Sequence, residues 1–285
     1  MDDKLFLEKL SKHPALRKRM AYWFIFQNNT LLLLKKDNAL PGFTECASIA
    51  PYFLNRFQLG KLNKIEYYCA EVNKEALIPD TLHSLTLRQA LPLFDLDMYG
   101  LAVKAYSIMN WDKNHQFCGC CGSLTTQQAK DFERKCTTCG LNFFPRISPS
   151  IIVLIKREDH LLMARGPHFP PGIYGLIAGF VNAGERIEEA VHREVKEEVG
   201  LTIKNLLYCG SQPWPFPDSL MMAFTADYET GEITMDQDEI EDAGWYKYDR
   251  LPGLPSMALS IAMKLIDDFV IEKIDEKSRC KSDQR

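Results

Sequence analysis

The feature that most limits how this chain can fold is a short run of carboxylates placed against a helical stripe, within GFVNAGERIEEAVHREVKEEVGL, residues 179–201. Ile187, Ala190, Val191 and Val195 recur at three- and four-residue steps, which predicts a helix over 186–199 with one buried face. Gly200 supplies the stop. Glu185, Glu188 and Glu189 fall near its N-terminus, where the helix dipole favours them. Glu194, Glu197 and Glu198 instead converge at i, i+3 and i+4 in the last turns, where they repel one another and oppose the dipole. An ordinary solvated face, relieved by Arg193 and Lys196, accounts for one stray acid better than for three converging ones. Hard oxygen ligands beside glycine-shaped backbone suit Mg²⁺ or Mn²⁺.

A second constellation lies upstream, in HQFCGCCGSLTTQQAKDFERKCTTCGLNFFP. Cys118 and Cys121, then Cys136 and Cys139, form two CxxCG knuckles whose glycines permit tight turns. Four thiolates fill a tetrahedral shell with no position left for water, so the spacing predicts a structural Zn²⁺ site rather than disulfides or a redox pair. Cys120 does not fit the i, i+3 pairing and is read as a bystander. Cys46, Cys69, Cys209 and Cys280 are scattered and read as packed or free.

The length of 285 residues and a 46% hydrophobic fraction suit about two soluble domains. A net charge of −4 argues against bulk nucleic-acid binding, though not against a local basic patch. The opening MDDKLFLEKL lacks a signal-peptide layout, and no apolar run approaches a membrane span. A cytoplasmic protein with no membrane partner is therefore expected. Residues 21–26 and 31–35 flank QNNT and read as a hairpin; 65–72 reads as a strand and 97–111 as a helix. From residue 147 onward, 150–156 and 160–165 pair across a turn at Glu158-Asp159. Further strands follow at 205–209 and 220–228, and a C-terminal helix at 256–270. The expected domains are an N-terminal α+β domain (1–110), a zinc ribbon (111–146) and a mixed sheet packed by helices (147–285).

After the glutamate helix comes SQPWPFPDS, residues 211–219. Prolines at alternate positions exclude a helix and predict an extended, rigid backbone. They hold Trp214 and Phe216 as stacking faces for a planar ring. A proline-rich ligand for another protein's groove is the competing reading, disfavoured by the flanking strands.

The 179–201 segment resembles the Nudix box, G-x5-E-x7-R-E-U-x-E-E-x-G-U with U apolar, at every defined position. SQPWPFPDS, with the knuckles upstream, is similar to the signature of the NADH pyrophosphatase family within the Nudix hydrolases. The resemblance covers about residues 85–270. It implies an α+β chain whose catalytic domain is a Nudix αβα sandwich, and it implies cleavage of NAD(H) at the pyrophosphate to NMN(H) and AMP. Arg193, Glu194, Glu197 and Glu198 would be the catalytic set. Glu194, Glu198, Glu239 and the Ala178 carbonyl would hold the divalent metal, with Glu197 a further ligand or the residue that positions water. Phe144, Ile152, Phe180, Gln212, Pro213, Trp214, Pro215, Phe216, Pro217, Asp218, Ser219 and Ala262 would line the substrate cleft. Phe144 stands where relatives often carry tyrosine, so a phenolic hydrogen bond is lost there. Arg88 is either a surface or ion-paired arginine or, by the resemblance, a substrate contact. A homodimer is implied by likeness alone. NAD-capped RNA is an alternative substrate of the same site, with Lys130, Arg134 and Lys135 as candidate phosphate contacts. A zinc-ribbon nucleic-acid binder with a ligand-sensing Nudix domain is the reading from another class; the intact glutamates argue against it.

Overall fold

A computed structural model describes residues 21–128, 132–255 and 260–282, which fall in two compact units, Met1–Arg146 and Ile147–Arg285. In the first, β1 (Ala21–Gln27) and β2 (Thr30–Leu34) form the expected hairpin. Its turn residues Asn28 and Asn29 both take positive φ, 51° and 63°. Those are the left-handed angles that a two-residue hairpin turn needs and that asparagine tolerates. Helix α1 (Phe43–Cys46) and strands β3 (Phe53–Leu62), β4 (Ile65–Val72) and β5 (Leu82–Thr86) follow, giving the sheet order β3-β4-β1-β2-β5. One face buries Trp23, Ile25, Leu32 and Ala70 against Cys46 and Ile49. Next come α2 (Leu87–Ala90) and α3 (Leu96–Asn114), which Asp95 caps through the Met98 N–H at 2.8 Å. Tyr106 of α3 meets Phe26, on the sheet's other face, at 5.7 Å.

Strands β6 (Thr125–Gln127), β7 (Arg134–Cys136) and β8 (Asn142–Phe143) make the ribbon sheet of the same unit. Arg134 ties it to α3. Its guanidinium pairs with the buried Asp112 carboxylate and donates to Thr125 Oγ1 at 2.8 Å, to the Thr125 carbonyl at 2.9 Å and to Gln116 Oε1 at 3.1 Å. Burial raises the Asp112 pKa, and Arg134 opposes that shift. The expectation that Arg134 touches RNA phosphates is therefore corrected: its charge and donors are consumed inside the unit. Lys135 is exposed, and Lys130 lies outside the described residues.

The second unit is built on β9 (Ser148–Arg157), β10 (His160–Arg165), β11 (Ile177–Phe180), β12 (Thr202–Trp214), β13 (Ser219–Thr230) and β14 (Asp242–Lys247), with helices α4 (Ile187–Val199) and α5 (Ile261–Ser282). The sheet order is β12-β13-β9-β10-β14, and β11 pairs with β9. Both faces of β9 are covered, which is why it reads as a continuous apolar run. Ile151, Val153 and Ile155 face Ala190, Val191, Val195 and Val199 of α4. Ile152 and Leu154 face Leu265, Ile266 and Phe269 of α5. Each fully buried valine of α4 contributes about 1.5 kcal/mol or more. Their sum outweighs the few tenths lost to each misplaced carboxylate.

Two expectations change here. The 211–219 segment is not an extended rod: β12 runs on through Trp214, residues 215–218 turn, and β13 returns antiparallel with Trp214 opposite Ser219. Pro213 is tolerated because β12 is an edge strand. The C-terminal helix continues past 270 to Ser282. Its charged end is supported by pairs such as Lys273–Glu276 rather than by an apolar stripe. Residues 256–259 lie outside the described set. No helix among the described residues is long and apolar enough to cross a membrane.

Candidate active site and zinc centre

The Glu194 carboxylate lies directly over Gly179 of β11, in the space that a side chain at that position would take. A Cβ built there would sit 2.0 Å from the Glu194 carboxyl carbon. Gly200 ends the helix with φ of 73°, and the chain after β13 then folds back on its last turn. The Thr234 N–H donates to the Val199 carbonyl at 3.0 Å, and the Asp236 N–H to the Glu198 carbonyl at 3.1 Å. That return delivers Glu239. Carboxylate oxygens of Glu194, Glu198 and Glu239 come within 4.8 Å of one another, against about 3–4 Å across an octahedral Mg²⁺ site. Oxygen-only donors at this spacing fit a hard divalent cation.

The electrostatics set these acids apart. Glu194 and Glu198 are both 7% exposed. Burial, then the charges of Glu194, Glu239, Asp236 and Glu197, push the Glu198 carboxyl up to about 8. Burial likewise raises Glu194, against the pull of Arg193. Glu197 does not join the cluster: it is exposed and paired with Arg193 at 2.8 Å. Arg193 is the hub. It donates to Glu185 at 2.6 and 2.9 Å, to Glu194 at 2.8 Å and to the Phe180 carbonyl at 2.9 Å. Glu185, held by Arg193 and by the Asn182 N–H, drops to about 2. Arg193 thus fixes Glu194 and the β11 terminus together.

The remaining expected residues divide between the units. In the second, the register sets Phe180, Ser150, Met221 and Gln212 in one row across β11, β9, β13 and β12. At about 4.8 Å per strand, that row spans roughly 14 Å. Ala178 pairs with Ile152 two residues along. The Trp214–Phe216 turn therefore projects at the sheet end where β11 enters the box. The two rings meet edge-on at 5.5 Å. Pro215 and Ser219 are buried, Pro217 is exposed, and Asp218 accepts from Ser148 Oγ at 2.8 Å. Gln212 Oε1 accepts from the Ile261 N–H at 2.7 Å, so it fixes the start of α5 beside Ala262. Phe180 is half exposed. Arg88 on α2 and Phe144, exposed just after β8, belong to the first unit.

In the ribbon, Cys118 and Cys139 sulfurs lie 3.6 Å apart and Cys121 and Cys136 sulfurs 3.5 Å apart. These gaps are far too long for a disulfide. They approach the ~3.8 Å edge of a zinc–thiolate tetrahedron with 2.3 Å bonds. Backbone N–H groups of Cys120, Thr138 and Cys139 point at the sulfurs at 3.4 Å. Gly122 and Gly140 turn the knuckles at φ of 72° and 75°. The thiol cluster could bind zinc.

Sequence reading missed how Glu239 is held. Its neighbours Arg165 and Glu241 are 76 positions apart, and no periodicity connects them.

Comparisons with known proteins identify the family. A NUDIX domain profile matches residues 146–269. A Chromobacterium violaceum protein named NAD-capped RNA hydrolase NudC is 49% identical over 255 residues, covering 89% of this chain and 92% of its own. A Pseudomonas aeruginosa protein of the same name is 50% identical over 189 residues, 66% of this chain and 67% of its own. Among solved structures, a MutT NUDIX hydrolase from Burkholderia pseudomallei aligns at 25% identity with a TM-score of 0.38, over 42% of this chain and 97% of its own. Nudix hydrolases require a divalent metal, which the carboxylate cluster suits. This chain is a Nudix hydrolase and belongs to the NADH pyrophosphatase family.

Proposed function

We propose that this protein hydrolyses the pyrophosphate bond of NAD(H) to NMN(H) and AMP. Mg²⁺ or Mn²⁺ would be held by Glu194, Glu198 and Glu239 with the Ala178 carbonyl, and Zn²⁺ by the four ribbon thiolates. The observation that carries the reading is the single sheet end shared by the carboxylate-bearing box and the Trp214–Phe216 turn. A pyrophosphate at the first would leave a planar ring within reach of the second. Bound divalent ions supply charge neutralisation and a water of lowered pKa. The chain's own part is to hold Glu194 through Arg193, keep Glu198 in a dry pocket, and leave Glu197 at the surface to orient water. Phe180 offers a ring face, and Ile152, Ala262 and residues 212–219 shape the cleft. Arg88, Phe144 and a homodimeric state enter on family likeness alone, and a cytoplasmic location on the sequence expectation alone.

A second reading, removal of the NAD cap from RNA by the same site, is favoured by the names of the relatives. One product analysis tests both: NADH, NAD, ADP-ribose and NAD-capped RNA are each incubated with Mg²⁺ or Mn²⁺. NMNH and AMP from NADH are expected. Cleavage of ADP-ribose alone would refute the assignment.

A further inference from the structure

Glu194 and Glu198 are fixed by a buried helix face, but Glu239 is exposed and stands on a loop. Contacts at three places hold that loop. At its start, the Asp236 N–H donates to the Glu198 carbonyl at 3.1 Å, and the Ile240 N–H closes the turn on the Asp236 carbonyl at 2.7 Å. At its end, the Glu241 N–H donates to the Arg165 carbonyl at 2.9 Å, while the Arg165 guanidinium pairs with the Glu241 carboxylate. Between them, Gly166 lets the loop lie against β10: a Cβ there would meet the Glu239 carbonyl at 3.1 Å and the His168 ring at 3.0 Å. Ile240 is buried in the α4 core, so the loop cannot swing as a whole.

We propose that Arg165, Gly166 and Glu241 are positioning residues for the divalent-metal site, and that they hold Glu239 against the repulsion of Glu194 and Glu198 before metal arrives. The inference rests on the metal role proposed for those three glutamates. The physical reason is preorganisation: clustered carboxylates repel until a cation joins them. The exposed member would otherwise turn outward to water. The tie between Arg165 and Glu241 is partly exposed, 20% and 43%. Pairs of this kind add little to global stability, so its loss should act on the site and not on the fold.

The test uses the full-length, zinc-loaded protein and Mn²⁺ alone, with free Mn²⁺ read by electron paramagnetic resonance. Glu239→Gln is the reference variant. Glu241→Gln should weaken Mn²⁺ binding by roughly fivefold, the upper end for an exposed pair, with the melting temperature nearly unchanged. Gly166→Ala should weaken it too. The charge swap Arg165→Glu with Glu241→Arg should restore affinity to within about twofold of wild type. In turnover, Glu241→Gln should raise the Mn²⁺ concentration for half-activation while kcat at saturating Mn²⁺ is kept. Unchanged Mn²⁺ affinity in Glu241→Gln and Gly166→Ala, with a clear loss in Glu239→Gln, overturns the positioning role. No loss in Glu239→Gln overturns the metal assignment beneath it.

Discussion

Replacing Glu198 with glutamine should stabilise the metal-free fold and abolish turnover in the same variant. The wild-type carboxyl is pushed up to about 8 from an ordinary 4.5, by burial first and then by the neighbouring acids. Below the unfolded value both states are protonated, and the group imposes no penalty. Between the two values the folded chain keeps a proton that the unfolded chain releases, so stability falls as pH rises. Each pH unit is worth about 1.4 kcal/mol, so the loss from about pH 5 to pH 8 is on the order of 4 kcal/mol. Glutamine has nearly the same shape and no charge to lose, so the variant lacks this decline. At about 2–4 °C per kcal/mol, its melting temperature near pH 8 should exceed that of wild type by roughly 10 °C. The assay is calorimetric unfolding at several pH values, with zinc retained and no Mg²⁺ or Mn²⁺ added. Adding Mn²⁺ should then raise the wild type most at high pH and leave the variant nearly unmoved. Turnover of NADH at saturating metal should fall about a hundredfold or more, as several kcal/mol of charge stabilisation is removed. Parallel pH profiles for the two proteins would refute the reasoning, because Glu198 would then not be the acid that burial and its neighbours hold protonated.

Gly179→Ala should displace Glu194, since its Cβ would lie 2.0 Å from that carboxyl carbon; Mn²⁺ affinity measured by titration should drop sharply. Arg134→Ala leaves the buried Asp112 charge without its partner and should cost about 3–5 kcal/mol in denaturant unfolding of the first unit. Cys139→Ser should lose zinc by metal analysis and destabilise that unit, because ligand-binding energy is also folding energy. Trp214→Ala should cost about 1–3 kcal/mol in kcat/KM with NADH, by analogy with lost base stacking. Its effect on ADP-ribose, which has one ring fewer, should be smaller, and an equal fall for both would reassign Trp214 to the fold.

Local signals made much of this chain legible. The helix over 187–199, its glycine stop, the hairpin at Asn28-Asn29 and the β9–β10 turn all follow from periodicity and turn chemistry confined to a few residues. The thiol spacing likewise announced a cluster of four sulfurs. The proline segment was misread because alternating prolines exclude a helix without saying whether the strand continues or turns. The partner strand β13 and the edge position of β12 settled that point. Arg134 looked like a free cation because sequence carries no sign of burial for a charge whose partner lies 22 positions earlier.

The sequence alone determined which residues share a helix face or a knuckle, because those relations repeat within a turn or two of backbone. It therefore specified the family motif, the thiol cluster and the identities of the box glutamates. Only the tertiary structure decided how those glutamates differ. Burial against β11 separates Glu194 and Glu198 from the exposed Glu197, although all three have the same local spacing. Only the fold, too, brings Glu239 to the cluster, through hydrogen bonds to Glu198 and Arg165 from a loop far along the chain. Charge energies depend on distance and on the local dielectric, and neither exists until the sheet and helix have packed.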